Sequence, residues 1–142
     1  MMNKKVRRFE DLNAWQKAMD LAVRVYEISD QAQLLRDFPL LNQMHGSAIS
    51  VPSNIAEGFE RGSRAEFHHF LTIAKGSCAE LRTQLILAKR IRRLSEKDAK
   101  STLALAEDVA RMIGKLRVVV AKQKATPLMP HASCPMPAED EC

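Results

Sequence analysis

The chain has 142 residues, 46% hydrophobic and 27% charged, which suits one globular domain around a single core and leaves no room for two. Five glycines and only seven aromatics (five Phe, one Trp, one Tyr), set among abundant Ala, Leu, Lys, Arg and Glu, argue against a β-sandwich and for helices. The net charge of +5 understates the basic character: residues 1–124 hold 22 cations against 14 carboxylates, a surplus of +8 that favours polyanionic partners such as RNA, or an acidic protein face.

Residues 1–8, Met-Met-Asn-Lys-Lys-Val-Arg-Arg, carry no periodicity and read as a flexible basic arm that leads into Glu10 and Asp11 instead of an apolar signal core. The first predicted helix runs from about Glu10 to Asp30. Its wheel sets Trp15, Ala18, Met19, Ala22, Val25, Tyr26 and Ser29 opposite Gln16, Asp20, Arg24 and Glu27. Ala14, Leu21 and Ile28 widen the apolar arc toward half the circumference, enough for two neighbouring helices.

The second predicted helix begins near Pro39 and continues through Leu40, Leu41, Met44, Ala48, Ile49, Ile55 and Phe59. Pro52 removes one backbone bond and crowds the carbonyl of Ala48 at a cost of roughly 3 kcal/mol, so a kink or restart is expected there, with Gly58 and Gly62 supplying the following turn. Ser63-Arg64-Ala65-Glu66 has the form of a capping box and opens the third helix. Its apolar line is Phe67, Phe70, Leu71, Ala74, Cys78, Leu81, Leu85 and Ala88. The cations Lys89, Arg90, Arg92 and Arg93 close it, suited to the negative end of a helix dipole.

Ser95-Glu96-Lys97-Asp98 reads as a second cap and starts a fourth helix to about Lys124, with Ala99, Thr102, Ala106, Val109, Ile113, Leu116 and Val120 inward. Lys97, Lys100, Arg111, Lys115 and Lys122 form a basic stripe outside, diluted by Glu107 and Asp108. Short connections make consecutive helices antiparallel. The expected fold is all-α, an antiparallel up-down-up-down four-helix bundle over residues 9–124 with a proline-interrupted second helix. Residues 125–142 hold four of the six prolines and read as a disordered Pro-rich tail.

The segment Ser50-Val51-Pro52-Ser53-Asn54-Ile55-Ala56-Glu57-Gly58-Phe59 is unusual for mid-helix. With Phe9-Glu10-Asp11-Leu12 and Trp15-Gln16-Lys17-Ala18 before it, and Glu66-Phe67, Phe70-Leu71, Ala74, Gly76-Ser77, Ala79-Glu80-Leu81 and Thr83-Gln84-Leu85 after it, it closely resembles the four-helix bundle protein family, also called the 23S rRNA intervening-sequence (S23) proteins. The resemblance covers about residues 9–120. It implies a small bundle that assembles into a homopentameric ring, with relatives that include the accessory protein of diversity-generating retroelements, which engages a reverse transcriptase and nucleic acid. Two departures stand out. Gln43-Met44-His45-Gly46-Ser47 lies where relatives usually carry a basic pair, and the tail lies outside the family pattern.

Two sets of residues are candidates for function. In the Pro52, Ser53, Asn54, Glu57, Gly58 motif, one reading is structural: Ser53 and Asn54 satisfy groups freed by Pro52, Glu57 faces solvent or pairs with Arg61, and Gly58 permits the turn. The other is partner binding or the lining of a ring. The cations Lys89, Arg90, Arg92 and Arg93, with Lys115 and Lys122 second, are the candidate nucleic-acid contacts, holding phosphate without reading sequence. With Trp15, Phe67 and Phe70 assigned to the core, no ring stands beside them for base stacking.

Catalysis and cofactors are not expected. Glu66-Phe67-His68-His69 contains the Glu-x-x-His spacing of di-iron bundles, but no second copy exists. Cys78 lies on the core line without a base at helical spacing, and Cys134 and Cys142 with His131 have irregular spacing on the tail. The odd cysteine count reads as reduced thiols in the cytoplasm. The expected function is a non-catalytic homo-oligomer binding structured RNA or a nucleoprotein partner; the alternative is a protein-directed scaffold or accessory subunit, for example of a reverse transcriptase, without direct nucleic-acid contact.

Overall fold

The structure, a computed structural model, describes residues 5–123. It is all-helical, with five α-helices and no strands among the described residues: α1 (Asn13–Ile28), α2 (Ala32–Leu35), α3 (Phe38–Glu60), α4 (Arg64–Arg90) and α5 (Glu96–Lys122). A 3-10 turn, Phe9–Asp11, precedes α1 and packs on it, with the Phe9 and Trp15 rings edge to face at 5.3 Å. Within the expected basic arm, Val6 is buried and the Arg7 and Arg8 amides donate to Asp11 Oδ2, so this stretch is docked on the helices. The Pro-rich tail lies outside the described residues.

The helix starts follow the caps written in the sequence. Ser63 Oγ accepts from the Glu66 amide at 3.1 Å, Ser95 Oγ from the Asp98 amide at 3.2 Å, and Asp37 Oδ1 from the Leu40 amide at 3.3 Å. Asp98 has a further task. Its carboxylate accepts from Arg24 at 3.1 Å and from Gln31, tying α5 to the far end of α1.

α3 packs on α4, α4 on α5, and α1 on both α3 and α5, around one core of Leu, Ile, Val, Ala and Met with Phe67 as its largest fully buried side chain. All seven inward positions expected on α5 are buried, as are all those of α4 except Phe70, which is half-buried. The α1 face is rotated from expectation: Ala14, Ala18, Leu21, Val25 and Ile28 line the core, while Met19 and Tyr26 are exposed, as is Ile49 on α3.

The proline interruption is corrected. α3 is one unbroken helix through Pro52, which is itself buried. One lost backbone bond costs roughly 3 kcal/mol, whereas burying Met44, Val51 and Ile55 completely contributes about 1.5–3 kcal/mol for each side chain. Packing on two neighbours therefore outweighs the local penalty. The short α2 had no counterpart in the apolar pattern, because four residues are too few to show a period.

Candidate nucleic-acid interface and the Pro52 motif

The basic cluster is set by how α4 ends. The Arg93 amide donates to the Ala88 carbonyl at 2.8 Å and the Arg92 amide to the Lys89 carbonyl at 3.1 Å, the pair of bonds of a Schellman motif. That motif requires a left-handed residue, and here it is Arg92, at φ 60°. Glycine is the usual occupant because a side chain there costs about 1–2 kcal/mol.

The turn holds its cations in different states. Arg93 Nε donates to Asp37 Oδ2 at 3.1 Å and Arg93 Nη1 to the Ile91 carbonyl at 3.2 Å, so this guanidinium braces α3 against the α4–α5 turn. Lys89 reaches Glu96 at 3.6 Å, a pair open to water. Arg90 and Arg92 are exposed and have no carboxylate partner among the described residues. Lys115 and Lys122 are likewise exposed. At 1.5 Å per residue, though, they lie about 28 and 39 Å along α5 from its start, so the structure does not join them to the cluster. Arg111, in the same stripe, is paired with Asp108. Lys115 and Arg111 instead flank Lys17 and Asp20 in a groove between α1 and α5.

One ring was missed by the sequence reading. Phe38 is 66% exposed and follows directly on Asp37, the residue that holds Arg93. Leu35 and Ile91, also exposed, lie in the same two connections. Because Phe38 is the first residue of α3, directly before a proline, no helical period marked it as outward-facing.

The Pro52 motif is mostly internal joinery. Asn54 Nδ2 donates to the Ser50 carbonyl and to Ser50 Oγ, both at 2.8 Å, and Ser50 Oγ meets Ser77 Oγ of α4 at 2.8 Å. The amide thus does not reach the Ala48 carbonyl that Pro52 frees, correcting that part of the structural reading. Glu57 pairs with Arg61 at 2.9 Å, and the Arg61 guanidinium lies 5.0 Å from the Phe70 ring centre. Gly58 does not make the turn. It is buried inside α3, and a Cβ there would lie 2.6 Å from Phe70 Cβ and 3.2 Å from the Phe67 ring. The turn residue is Gly62, at φ +82°. Ser53 is exposed at the edge of an apolar groove formed by Trp15, Met19, Ile49, Pro52 and Ala56 between α1 and α3.

The remaining chemical groups are placed for packing. Cys78 Sγ donates to the Ala106 carbonyl at 3.2 Å, and burial pushes its thiol up to about 11 despite the opposing charge of Arg82. His45 stacks on Tyr26 at 4.0 Å and meets Ser29 Oγ at 2.9 Å; burial lowers its pKa. Among the described residues no three His, Cys, Asp or Glu side chains are grouped to hold a metal ion, and no helix is long and apolar enough to cross a membrane.

Residues 10–115 match the family described as 23S rRNA-intervening sequence protein, and the chain belongs to that family. Its fold is similar to the crystal structure of a protein of unknown function from the S23 ribosomal protein family of Bacteroides thetaiotaomicron VPI-5482, with a TM-score of 0.65 and 24% identity over 70% of this chain and 94% of that one. No curated protein matches.

Proposed function

We propose that this member of the 23S rRNA-intervening sequence protein family is a non-catalytic, self-associating four-helix bundle of the cytoplasm that holds structured RNA by its phosphates through a basic surface. An up-down-up-down course of α1, α3, α4 and α5 is supported by pairs across the four interfaces: Tyr26 stacks on His45 while Trp15 and Ala56 line one groove, and Ser50 meets Ser77 while Phe59 meets Phe67. Cys78 meets Ala106 while Lys89 meets Glu96, and Arg24 meets Asp98 while Lys17 shares a groove with Arg111. Such a course carries the α4–α5 turn to one pole of the bundle.

The observation that carries the reading is the pair Arg90 and Arg92 at that pole, exposed and with no carboxylate partner among the described residues. Arginine forks suit phosphate oxygens, and phosphate contacts position without reading sequence. Lys115 and Lys122 form a second, separate patch. Self-association into the five-membered ring that the family resemblance implies would multiply both patches; exposed Met19, Ile49, Ile73 and Leu87 supply apolar area for it.

Filter retention of a labelled stem-loop RNA, measured from low to high salt, tests this. Retention is expected to weaken steeply with salt and to fall further when Arg90 and Arg92 are both changed to Glu. Absence of retention at the lowest salt overturns it. The protein-directed scaffold is the second reading, favoured by the open apolar groove of Trp15, Met19 and Ile49. It predicts a partner retained from lysate after nucleases have destroyed RNA and DNA.

A further inference from the structure

The exposed ring of Phe38 is costly to explain by packing. It opens α3, and 66% of its surface meets solvent. Its surroundings are specific in chemistry. Asp37, the preceding residue, caps α3 and binds Arg93 from the α4–α5 turn, so the start of α3 and that turn are fastened together. That bond ties the residue before Phe38 to the Schellman turn that carries Arg90 and Arg92.

The charges at this pole leave a positive remainder. Asp37 is matched by Arg93, Glu96 by Lys89, and Asp98 by Arg24. Arg36, Arg90, Arg92 and Lys97 are exposed without an ion pair among the described residues, against Asp30 and against Glu27, which shares Arg24 with Asp98. Arg92 adds a backbone argument. It occupies a left-handed position at φ 60° that glycine would fill with less strain, and strain kept at one residue points to a use for its side chain.

We infer that Phe38, Arg90 and Arg92 form a site for unpaired nucleotides, the ring stacking one base while the guanidiniums hold the flanking phosphates. The inference rests on the nucleic-acid reading above and narrows it from duplex or structured RNA in general to single-stranded segments. An aromatic face together with cations for the backbone is what sequence-tolerant binding of single strands requires, since every base has a π-face. A paired base is stacked within its helix and unavailable to a ring. An anionic bilayer fits less well. It is entered by a continuous apolar stripe, whereas Leu35, Phe38 and Ile91 are each flanked in sequence by a charged residue.

The test compares two labelled RNAs, a 12-nucleotide single strand of mixed sequence and a blunt duplex of the same length, by fluorescence anisotropy at low salt. Wild-type protein should prefer the single strand. Phe38→Ala should weaken single-strand binding about tenfold, leave duplex binding within twofold, and leave the melting temperature unchanged. Phe38→Trp should restore the preference and report stacking by quenched indole fluorescence. If Phe38→Ala leaves single-strand binding intact while Arg90→Glu weakens it, the ring has no part and the inference fails, although the phosphate-binding reading survives. If neither RNA binds, both fail. If Phe38→Ala instead changes the sedimentation coefficient, or abolishes binding to phosphatidylglycerol vesicles with RNA unaffected, the ring serves a second copy or a membrane and the inference is overturned.

Discussion

The two turns that flank α4 have the same backbone problem and different solutions. Before α4 the chain reverses at Gly62, φ +82°; after it the chain reverses at Arg92, φ 60°. The left-handed region is nearly free to glycine and costly to other residues. At the first turn glycine takes the left-handed position, and the neighbouring Arg61 is matched by Glu57. At the second, a strained arginine is kept next to Arg90, and neither has a carboxylate partner among the described residues. The first turn closes α4 onto α3; for the second, we propose that what its side chains present to solvent is its use.

Substitutions can break this contrast, beginning with the largest effect. The tight first turn depends on α4 closing onto α3 at Gly58, where a methyl would meet Phe70 Cβ at 2.6 Å. Gly58→Ala is expected to destabilise by about 2 kcal/mol, overpacking outweighing the helix-propensity gain. Gly76→Ala, exposed and with open space around it, should stabilise by up to about 1 kcal/mol. Urea midpoints of the two variants moving in the same direction would contradict the close approach.

Gly62→Ala follows, with an expected loss of about 1 kcal/mol by the same measurement, because alanine resists φ +82°. Asp37→Ala should cost about 1 kcal/mol through the lost α3 cap, and Asp37→Asn, which keeps an acceptor for the Leu40 amide, should cost less. If the two Asp37 variants are equally unstable, the charge pair with Arg93 is what braces the second turn and the cap is incidental. Least of all, Glu96→Gln should change stability by under about 0.5 kcal/mol, since its pair with Lys89 is exposed to solvent. A larger loss would mean that the second turn is held by its charges after all.

Much of this contrast was legible in the sequence, and what was not has identifiable causes. The core lines of α4 and α5 were readable because steps of three and four leave an unambiguous stripe, and the caps at Ser63 and Ser95 because the side chain that closes the first turn is local. Pro52 misled because its penalty is local while the burial of Val51 and Ile55, which outweighs it, comes from α1 and α4. Gly58 was read as a turn residue because nothing in sequence records that Phe67 and Phe70 press against it. Of the site, the cations were visible as a cluster. Their pairing was not, since Asp37 lies 56 positions from Arg93. Phe38 escaped for the same reason: its exposure is decided by where α2 and the α4–α5 turn lie.

If Arg92 is kept for its side chain against the preference of its backbone, Arg92→Gly will show it, assayed in one preparation for urea midpoint and for RNA affinity across a salt series. The predicted result is a protein at least as stable as wild type, by up to about 1 kcal/mol, that binds RNA more weakly and with a salt slope reduced by about one. A variant that is more stable yet binds RNA with unchanged affinity and slope would contradict it.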